Sequence, residues 1–277
     1  MNSKFLYFNQ LTRYSPYFNL ALEEAIAINL IEFGFSGAVR FWTNHNTIVL
    51  GISDSVSKNI SPEKITAFNQ EFPRLQNSRK FQENSIYITR RASGGGTVFH
   101  DEAFNLNYSL FASTKEKKEL YPVKESYNQL LGLVTKALSK QNISASSAGK
   151  SDITIETDGI LKKISGNAQF RKRDCIVQHG TLILDLKIID SVLENLSHPP
   201  EEPDYRKNRK HSDFLTSLPK EFSVPKFKKD LQEIFQEFLG LSSSITKDRK
   251  FLRQVFRDAK RLMSEKYANI EFIFSKT

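Results

Sequence analysis

Arg90-Arg91-Ala92-Ser93-Gly94-Gly95-Gly96-Thr97-Val98-Phe99-His100-Asp101 is the most informative string in the chain. Three successive residues without a Cβ let the main chain take positive φ and bring its N–H groups close to an anion. The two arginines ahead of them carry forked donors suited to phosphate or carboxylate. Ser93 and His100 stand alongside, so the string predicts an anion-binding loop rather than a plain hairpin turn.

The flanks of this loop predict a sheet. Residues 85–91 read as a strand leading into the glycines, and 97–111 resume an extended pattern in which Leu106, Tyr108 and Leu110 alternate. Toward the N-terminus, Ser15-Pro16 is a helix start, with serine able to cap and proline suited to the first helical position. Phe18, Leu22, Ala25, Ile26 and Leu30 continue it to Gly34. Residues 38–42 and 47–50 read as strands joined in a hairpin by Asn44-His45-Asn46. Residues 55–79 are polar and irregular, with one short helix expected after Ser61-Pro62. Toward the C-terminus, 121–141 read as a helix. Residues 152–186 are extended, with a turn at Asp158-Gly159, and 198–203 form a proline-rich loop. Two helices follow, one presenting Phe227, Leu231, Ile234, Phe235 and Phe238, the other Leu252, Val255, Ala259 and Leu262. A last strand is expected over 270–274. Short turns between consecutive strands predict one α+β domain over residues 1–277, with a mostly antiparallel central sheet flanked by helices.

A second string, Lys162-Lys163-Ile164-Ser165-Gly166-Asn167-Ala168, runs on to Gln178-His179-Gly180-Thr181-Leu182. Regular alternation would place Lys163 and Ser165 on one face and Ile164 on the other, so that Lys163 points into a cleft. There it would stabilise negative charge on a carboxylate and an α-phosphate. A lone strand lysine is otherwise a solvated charge, and a lone histidine such as His179 a structural one. Gly149-Lys150-Ser151 imitates the end of a P-loop, but Ser144 stands where that motif needs glycine. Cys175 has no evident base near it in sequence.

Composition bounds the class. Of 277 residues, 39% are hydrophobic and 26% charged, an ordinary globular balance. The single cysteine excludes an internal disulfide and a four-cysteine zinc site, and fits a reducing cytosol. Residues 1–10 lack a secretory pattern, and the apolar stretch 17–33 carries Glu23, Glu24 and Glu32, which argues against a membrane span. A cytoplasmic protein is expected. The net charge of +9 is spread along the chain, without nucleic-acid-binding motifs, and predicts acidic small ligands or an acidic protein partner rather than nucleic acid.

Together these residues resemble the lipoate–protein ligase family, which shares its fold with biotin–protein ligases and class II synthetases. Residues 90–101 are similar to that family's Arg-Arg-x-Ser-Gly-Gly-Gly-x-Val-(Phe/Tyr)-His-Asp. Asn105-Leu106-Asn107, Gly149-Lys150-Ser151-Asp152, Lys163-Ile164-Ser165-Gly166-Asn167-Ala168 and His179-Gly180-Thr181-Leu182 resemble further motifs in the same order. Weaker echoes are residues 17–24 and Glu265-Lys266-Tyr267. The resemblance implies that ATP, with Mg²⁺, activates lipoate or octanoate to an acyl adenylate, and that a lipoyl-domain lysine then takes the acyl group. It implies that Lys163 contacts acyl carbonyl and phosphate. Arg91, Gly94, Gly95, Gly96, Thr97, Val98 and Phe99 would hold the nucleotide. Asp152 would serve the metal or adenylate site, and Ser93, His100, Ala168, His179 and Thr181 would line the acyl pocket. The implied partners are lipoyl domains of 2-oxoacid dehydrogenase acyltransferases and the glycine-cleavage H protein.

The chain departs from the family pattern at Asp54-Ser55, where a Gln-Asn pair is usual. Longer ligases continue into an accessory C-terminal domain, which is expected to be absent here or supplied by a separate protein. Arg206, Arg209, His211, Asp213 and Phe214 match no motif. The alternatives are an ATP-independent transferase that takes octanoyl or lipoyl from a carrier thioester through a cysteine, and a non-catalytic binding protein on the same fold.

Overall fold

The computed structural model describes residues 4–10, 13–80, 82–83, 85–197, 203–241 and 247–276. Residues 198–202 of the expected proline-rich loop lie outside them. The strands are β1 (Lys4–Asn9), β2 (Phe35–Trp42), β3 (Thr47–Leu50), β4 (Tyr87–Arg90), β5 (Val98–His100), β6 (Asn105–Ser113), β7 (Ala145–Ala148), β8 (Asp152–Thr157), β9 (Ile160–Lys172) and β10 (Cys175–Ile183). The helices are α1 (Pro16–Asn29), α2 (Val56–Asn59), α3 (Pro62–Leu75), α4 (Val123–Ser139), α5 (Ile188–Asn195), α6 (His211–Phe214), α7 (Val224–Leu239), α8 (Arg249–Leu262) and α9 (Ile270–Ile273). A wider helical turn, Met263–Tyr267, continues α8.

A seven-stranded sheet in the order β1-β2-β6-β10-β9-β8-β7 forms the centre, antiparallel except for the β1–β2 pair. Alternation along its strands buries both faces. On one face Val39, Phe41, Leu110, Ile176 and Leu182 meet Leu130 and Val134 of α4 and Leu231 and Phe235 of α7. On the other, Ala38, Phe111, Cys175 and Val177 share a core with α1, α8 and the small sheet β4-β3-β5. The α+β architecture expected from the sequence is therefore present.

Several boundaries differ. β2 and β3 do not form a hairpin: β2 pairs with β1 and β6, whereas β3 pairs with β4 and β5 in the second sheet. The turn residues were read correctly, but a turn does not choose a sheet. The stretch expected to be irregular contains a 14-residue helix, α3. Its polar character hid the three positions that bury it, Phe68, Phe72 and Leu75. Residues 270–273 are a helical turn capped by the Asn269 side chain, not a strand. The Ser15 cap and the Asp158-Gly159 turn stand as read: Ser15 Oγ accepts from Phe18 N, and both turn residues have positive φ, 51° and 73°.

α1 carries two adjacent buried glutamates with separate duties. Glu24 pairs with Lys172 of β9 at 2.8 Å and Lys266 at 2.7 Å, and accepts from the Tyr267 hydroxyl. The Lys266-Tyr267 echo thus ties the end of α8 to the first helix. Glu23 faces the central sheet and belongs to the site.

His179 and Thr181 point to the α1 face, so Gly180 between them points to the opposite one. A Cβ at Gly180 would overlap Asn167 Oδ1 and lie 2.6 Å from the Tyr108 hydroxyl oxygen. Gly180→Ala is expected to destabilise the fold by about 2 kcal/mol, the usual scale of overpacking. Urea unfolding checks this, and a loss under about 0.5 kcal/mol contradicts the packing account.

Candidate functional site

The glycine loop joins β4 to β5 and is shaped from within by Arg91. Its guanidinium donates to the carbonyl oxygens of Gly94 (2.6 Å) and Gly96 (2.9 Å) and, from Nε, to Ser93 Oγ (2.9 Å). Arg91 is therefore the loop's internal brace, and burial lowers its pKa to about 10. The Gly94 and Gly96 carbonyls are turned inward, Gly95 has φ 82°, and Gly95 and Gly96 are exposed. None of the Gly94, Gly95 and Gly96 N–H groups donates to another described residue. Free main-chain donors of this kind can receive an anion. The loop is seated on Gly51, where any Cβ would overlap Gly95 O, and Asp54 Oδ2 accepts from both Gly51 N (3.0 Å) and Thr97 Oγ1 (2.7 Å). Asp54, which departs from the family pattern, thus fastens the loop's base.

Arg90 does something else. It is fully buried, and its Nε and Nη1 donate to the carbonyls of Ile273 (3.0 Å), Gly51 (2.6 Å) and Asp54 (2.8 Å). The two arginines read as a pair divide their work: one clamps the C-terminal segment, the other shapes the loop. The Phe99 side chain is buried in the core and that of Val98 packs partly against it.

Under the loop a directed hydrogen-bond chain crosses from strand to helix. Arg91 Nε donates to Ser93 Oγ, which lies 2.7 Å from His179 Nε2. His179 Nδ1 lies 2.9 Å from Glu23 Oε2, and Glu23 Oε1 accepts from Ser109 Oγ, itself the acceptor for Trp42 Nε1. Burial works to raise the Glu23 pKa, but His179, Ser109 and Arg40 outweigh it and leave the carboxyl below its ordinary value. The Ser–His–Glu order matches that of a serine nucleophile. Ser93, however, is 1% exposed and already accepts from Arg91, so the chain acts as a scaffold that fixes the glycine loop to β10 and α1. Ala168 lies opposite His179 in the β9–β10 ladder, and a Cβ on Gly95 would come within 3.8 Å of it. The loop therefore lies over β9 at this point.

His100 and Thr181 form a second cluster. Thr181 Oγ1 donates to Asn107 Oδ1 (2.7 Å), so it accepts from His100 Nε2 at 2.9 Å, while Nδ1 faces the amides of Asn44 and Asn107. This fixes a neutral Nε2–H tautomer.

Lys163 reaches the same face by a break in the ladder. The β8–β9 register pairs Ile153 with Ser165 but Thr154 with Lys163, leaving Ile164 as an extra residue. Ile164 is buried against the α4–α7 core, and Ser165 lies on that side too, beside Asn167. Lys163 is turned to the opposite face, where its Nζ lies 2.8 Å from Asp152 Oδ1 and 3.0 Å from where a Cβ on Gly166 would stand. The expected sharing of a face by Lys163 and Ser165 is corrected: regular alternation does not survive the bulge. Asp152 Oδ2 accepts from Tyr205 Oη at 2.7 Å. Among the described residues no group of three His, Cys, Asp or Glu could hold a metal ion.

Gly149-Lys150-Ser151 lies in the turn between β7 and β8, not at a helix start. Cys175 is fully buried, its pKa pushed up by burial, and sits opposite Lys172, roughly 30 Å along β9 from Lys163. It is no acyl carrier for this site. The residues missed from sequence are Glu23, Trp42, Ser109, Asp54 and Tyr205. A signal existed for Glu23, since adjacent carboxylates in an apolar helix require buried partners.

His100 carries a stability signature. Burial first, then Arg91 and His179, lower its pKa from 6.5 to about 3. Below about pH 6.5 the unfolded chain binds a proton that the fold refuses, so stability falls as pH falls, by up to about 1.4 kcal/mol per unit. Between pH 7.5 and 5.5, wild type should lose about 1.4 kcal/mol more than His100→Gln in urea unfolding. Equal losses would contradict a neutral buried His100.

Known proteins with this architecture place the site in context. A bi-partite lipoate protein ligase from Thermoplasma acidophilum superposes with a TM-score of 0.75 at 19% identity, covering 100% of this chain and 98% of that one. A lipoate-protein ligase A bound with ATP gives 0.72 at 17% identity, covering 100% of both chains. In sequence, the lipoate-protein ligase A of Blochmanniella floridana is 33% identical over 180 residues, 64% of this chain and 44% of that protein. The chain thus spans under half the length of the curated relatives it matches. The family signature of the lipoyl protein ligase A/B catalytic domain matches residues 15–236. By that match, covering every strand and side chain of the site from Glu23 to Tyr205, the chain belongs to the lipoyl protein ligase A/B catalytic domain family.

Proposed function

We propose that the chain catalyses ATP-dependent activation of lipoate or octanoate to the acyl adenylate, then transfer of the acyl group to a lysine of a lipoyl domain. The observation that carries this reading is the placement of Lys163. The β9 bulge turns its ammonium onto the sheet face that also bears the His179 network and is roofed by the glycine loop. One cation would then stand between an acid pocket and a phosphate cradle.

In the first step a carboxylate oxygen attacks the α-phosphorus and pyrophosphate leaves. Lys163 neutralises charge on the acyl and phosphoryl oxygens, while the Gly94–Gly96 N–H groups hold the phosphates. In the second step a lysine amine attacks the carbonyl, the amide forms, AMP leaves and the amine loses a proton. Mg²⁺ would supply charge neutralisation on the phosphates. Asp152, beside Lys163, is the carboxylate we assign to it, and with no metal-holding group of three such side chains among the described residues the ion would be held mainly through phosphate and water. Ser93, His100, Ala168, His179 and Thr181 would bound the acyl chain. The net charge of +9 suits an acidic acceptor. Acceptors of the required kind are the lipoyl domains of 2-oxoacid dehydrogenases and the glycine-cleavage H protein. A thioester transferase is disfavoured by the burial and distance of Cys175.

Purified chain with lipoic acid, Mg²⁺ and a lipoyl domain should add a lipoyl mass to the domain only when ATP is present. Lys163→Ala should lower the rate by about 10²-fold or more, the scale of losing a charge-stabilising group. ATP-independent octanoyl transfer from an acyl-carrier thioester would overturn the assignment.

A further inference from the structure

The string Arg206, Arg209, His211, Asp213 and Phe214, left without a role by the sequence, belongs to a strap over residues 203–218 that crosses β9 beside Lys163. β10 pairs with β9 only as far as Ser165. Beyond that point the strap takes its place: Thr216 N donates to Lys163 O (2.9 Å), and Arg209 Nη1 to Leu161 O (3.0 Å). Leu218 N donates to Ile183 O (2.9 Å), anchoring the strap at the end of β10.

The strap also builds a compact turn. Arg206 Nε donates to Arg209 O, and Arg209 Nε to Arg206 O. Both guanidiniums stack on Phe214, at 4.8 and 5.3 Å from its centroid, and Tyr205 packs on the same ring at 5.2 Å. Between the arginines, Lys207 and Asn208 both take left-handed φ, 52° and 58°, an uncommon conformation for successive side-chain-bearing residues. This geometry delivers the Tyr205 hydroxyl to Asp152. The ring also lies against Gly149, where a Cβ would meet Tyr205 Cε1 at 3.3 Å.

We propose that Tyr205 is a positioning residue for Lys163, acting through Asp152. This deepens the function proposed above and rests on it. Tyr205 Oη holds one carboxylate oxygen, which aims the other at the ammonium. The strap fixes the lysine's backbone at the same time. One N–H of Lys163 is thereby anchored on Asp152, which leaves two to serve the reacting oxygens. No bond is made or broken by Tyr205 itself.

The test is Tyr205→Phe, which keeps the ring on Phe214 and removes only the donor. Acyl-dependent pyrophosphate exchange should show kcat lowered about ten-fold, with KM for ATP and for the acid within about two-fold, and an unchanged melting temperature. In an Asp152→Asn background the same substitution should have no further effect, because the two act in series. A Tyr205→Phe enzyme with wild-type kcat, or an undiminished effect in the Asp152→Asn background, would overturn the proposal. A separate arm needs no ligase activity. Competitive acetylation followed by mass spectrometry should show the labelling of Lys163, relative to Lys162, changed at least three-fold in Tyr205→Phe. An unchanged ratio contradicts the positioning role even if the wild type proves to have another activity.

Discussion

A single unpaired residue, Ile164, sets which way the lysine of this protein points. Its side chain is drawn into the core beneath α4 and α7, and the ladder between β8 and β9 slips by one position to admit it. Strand side chains alternate with a strict period of two, so one extra residue reverses the face of everything beyond it. Lys163 is thereby lifted from the helix-covered side of the sheet to the side that holds Glu23, His179 and the glycine loop. The apolar burial of Ile164 supplies the driving force, and Gly166 leaves the room that the lysine needs.

The rest of the site depends on buried charge that is largely hydrogen-bonded, with Arg40 Nε left without a partner. Glu23 and Arg40 are almost completely enclosed, an arrangement that is costly unless each group is hydrogen-bonded. Glu23 has His179 and Ser109. Arg40 donates to the carbonyl and the side chain of Asn19 and to Gln10. Arg91 closes the chain from the other end, so the glycine loop, β10 and α1 form one connected polar network. Rigid support of this kind is what electrostatic stabilisation of a transition state demands, since donors already in place need no reorganisation.

What was legible in the sequence follows from how local each signal is. The glycine loop, the Ser15 cap, the Asp158-Gly159 turn and the faces of α7 and α8 depend on short-range chemistry, and the structure has them where they were read. The His179-Gly180-Thr181 string was legible as alternation, and it held because β10 is regular. Lys163 was given the wrong companions, because a bulge leaves no mark in residue types: Ile164 looks like any other strand isoleucine. Glu23, Ser109 and Trp42 were missed because their meeting is a matter of packing between distant segments. Tyr205 lay next to a string that was noticed and left unassigned. Its partner is Asp152, 53 positions away, and no periodicity links the two.

The account turns on Lys163 standing between an acid and a phosphate cradle. A crystal structure of the protein with a non-hydrolysable octanoyl-sulfamoyl adenosine tests it most directly. Lys163 Nζ should lie ~3 Å from the carbonyl and sulfamoyl oxygens, with the sulfamoyl group facing the Gly94–Gly96 N–H groups and the acyl chain running toward His179. An analogue bound with those oxygens more than about 6 Å from Nζ, beyond any direct hydrogen bond, would contradict the account.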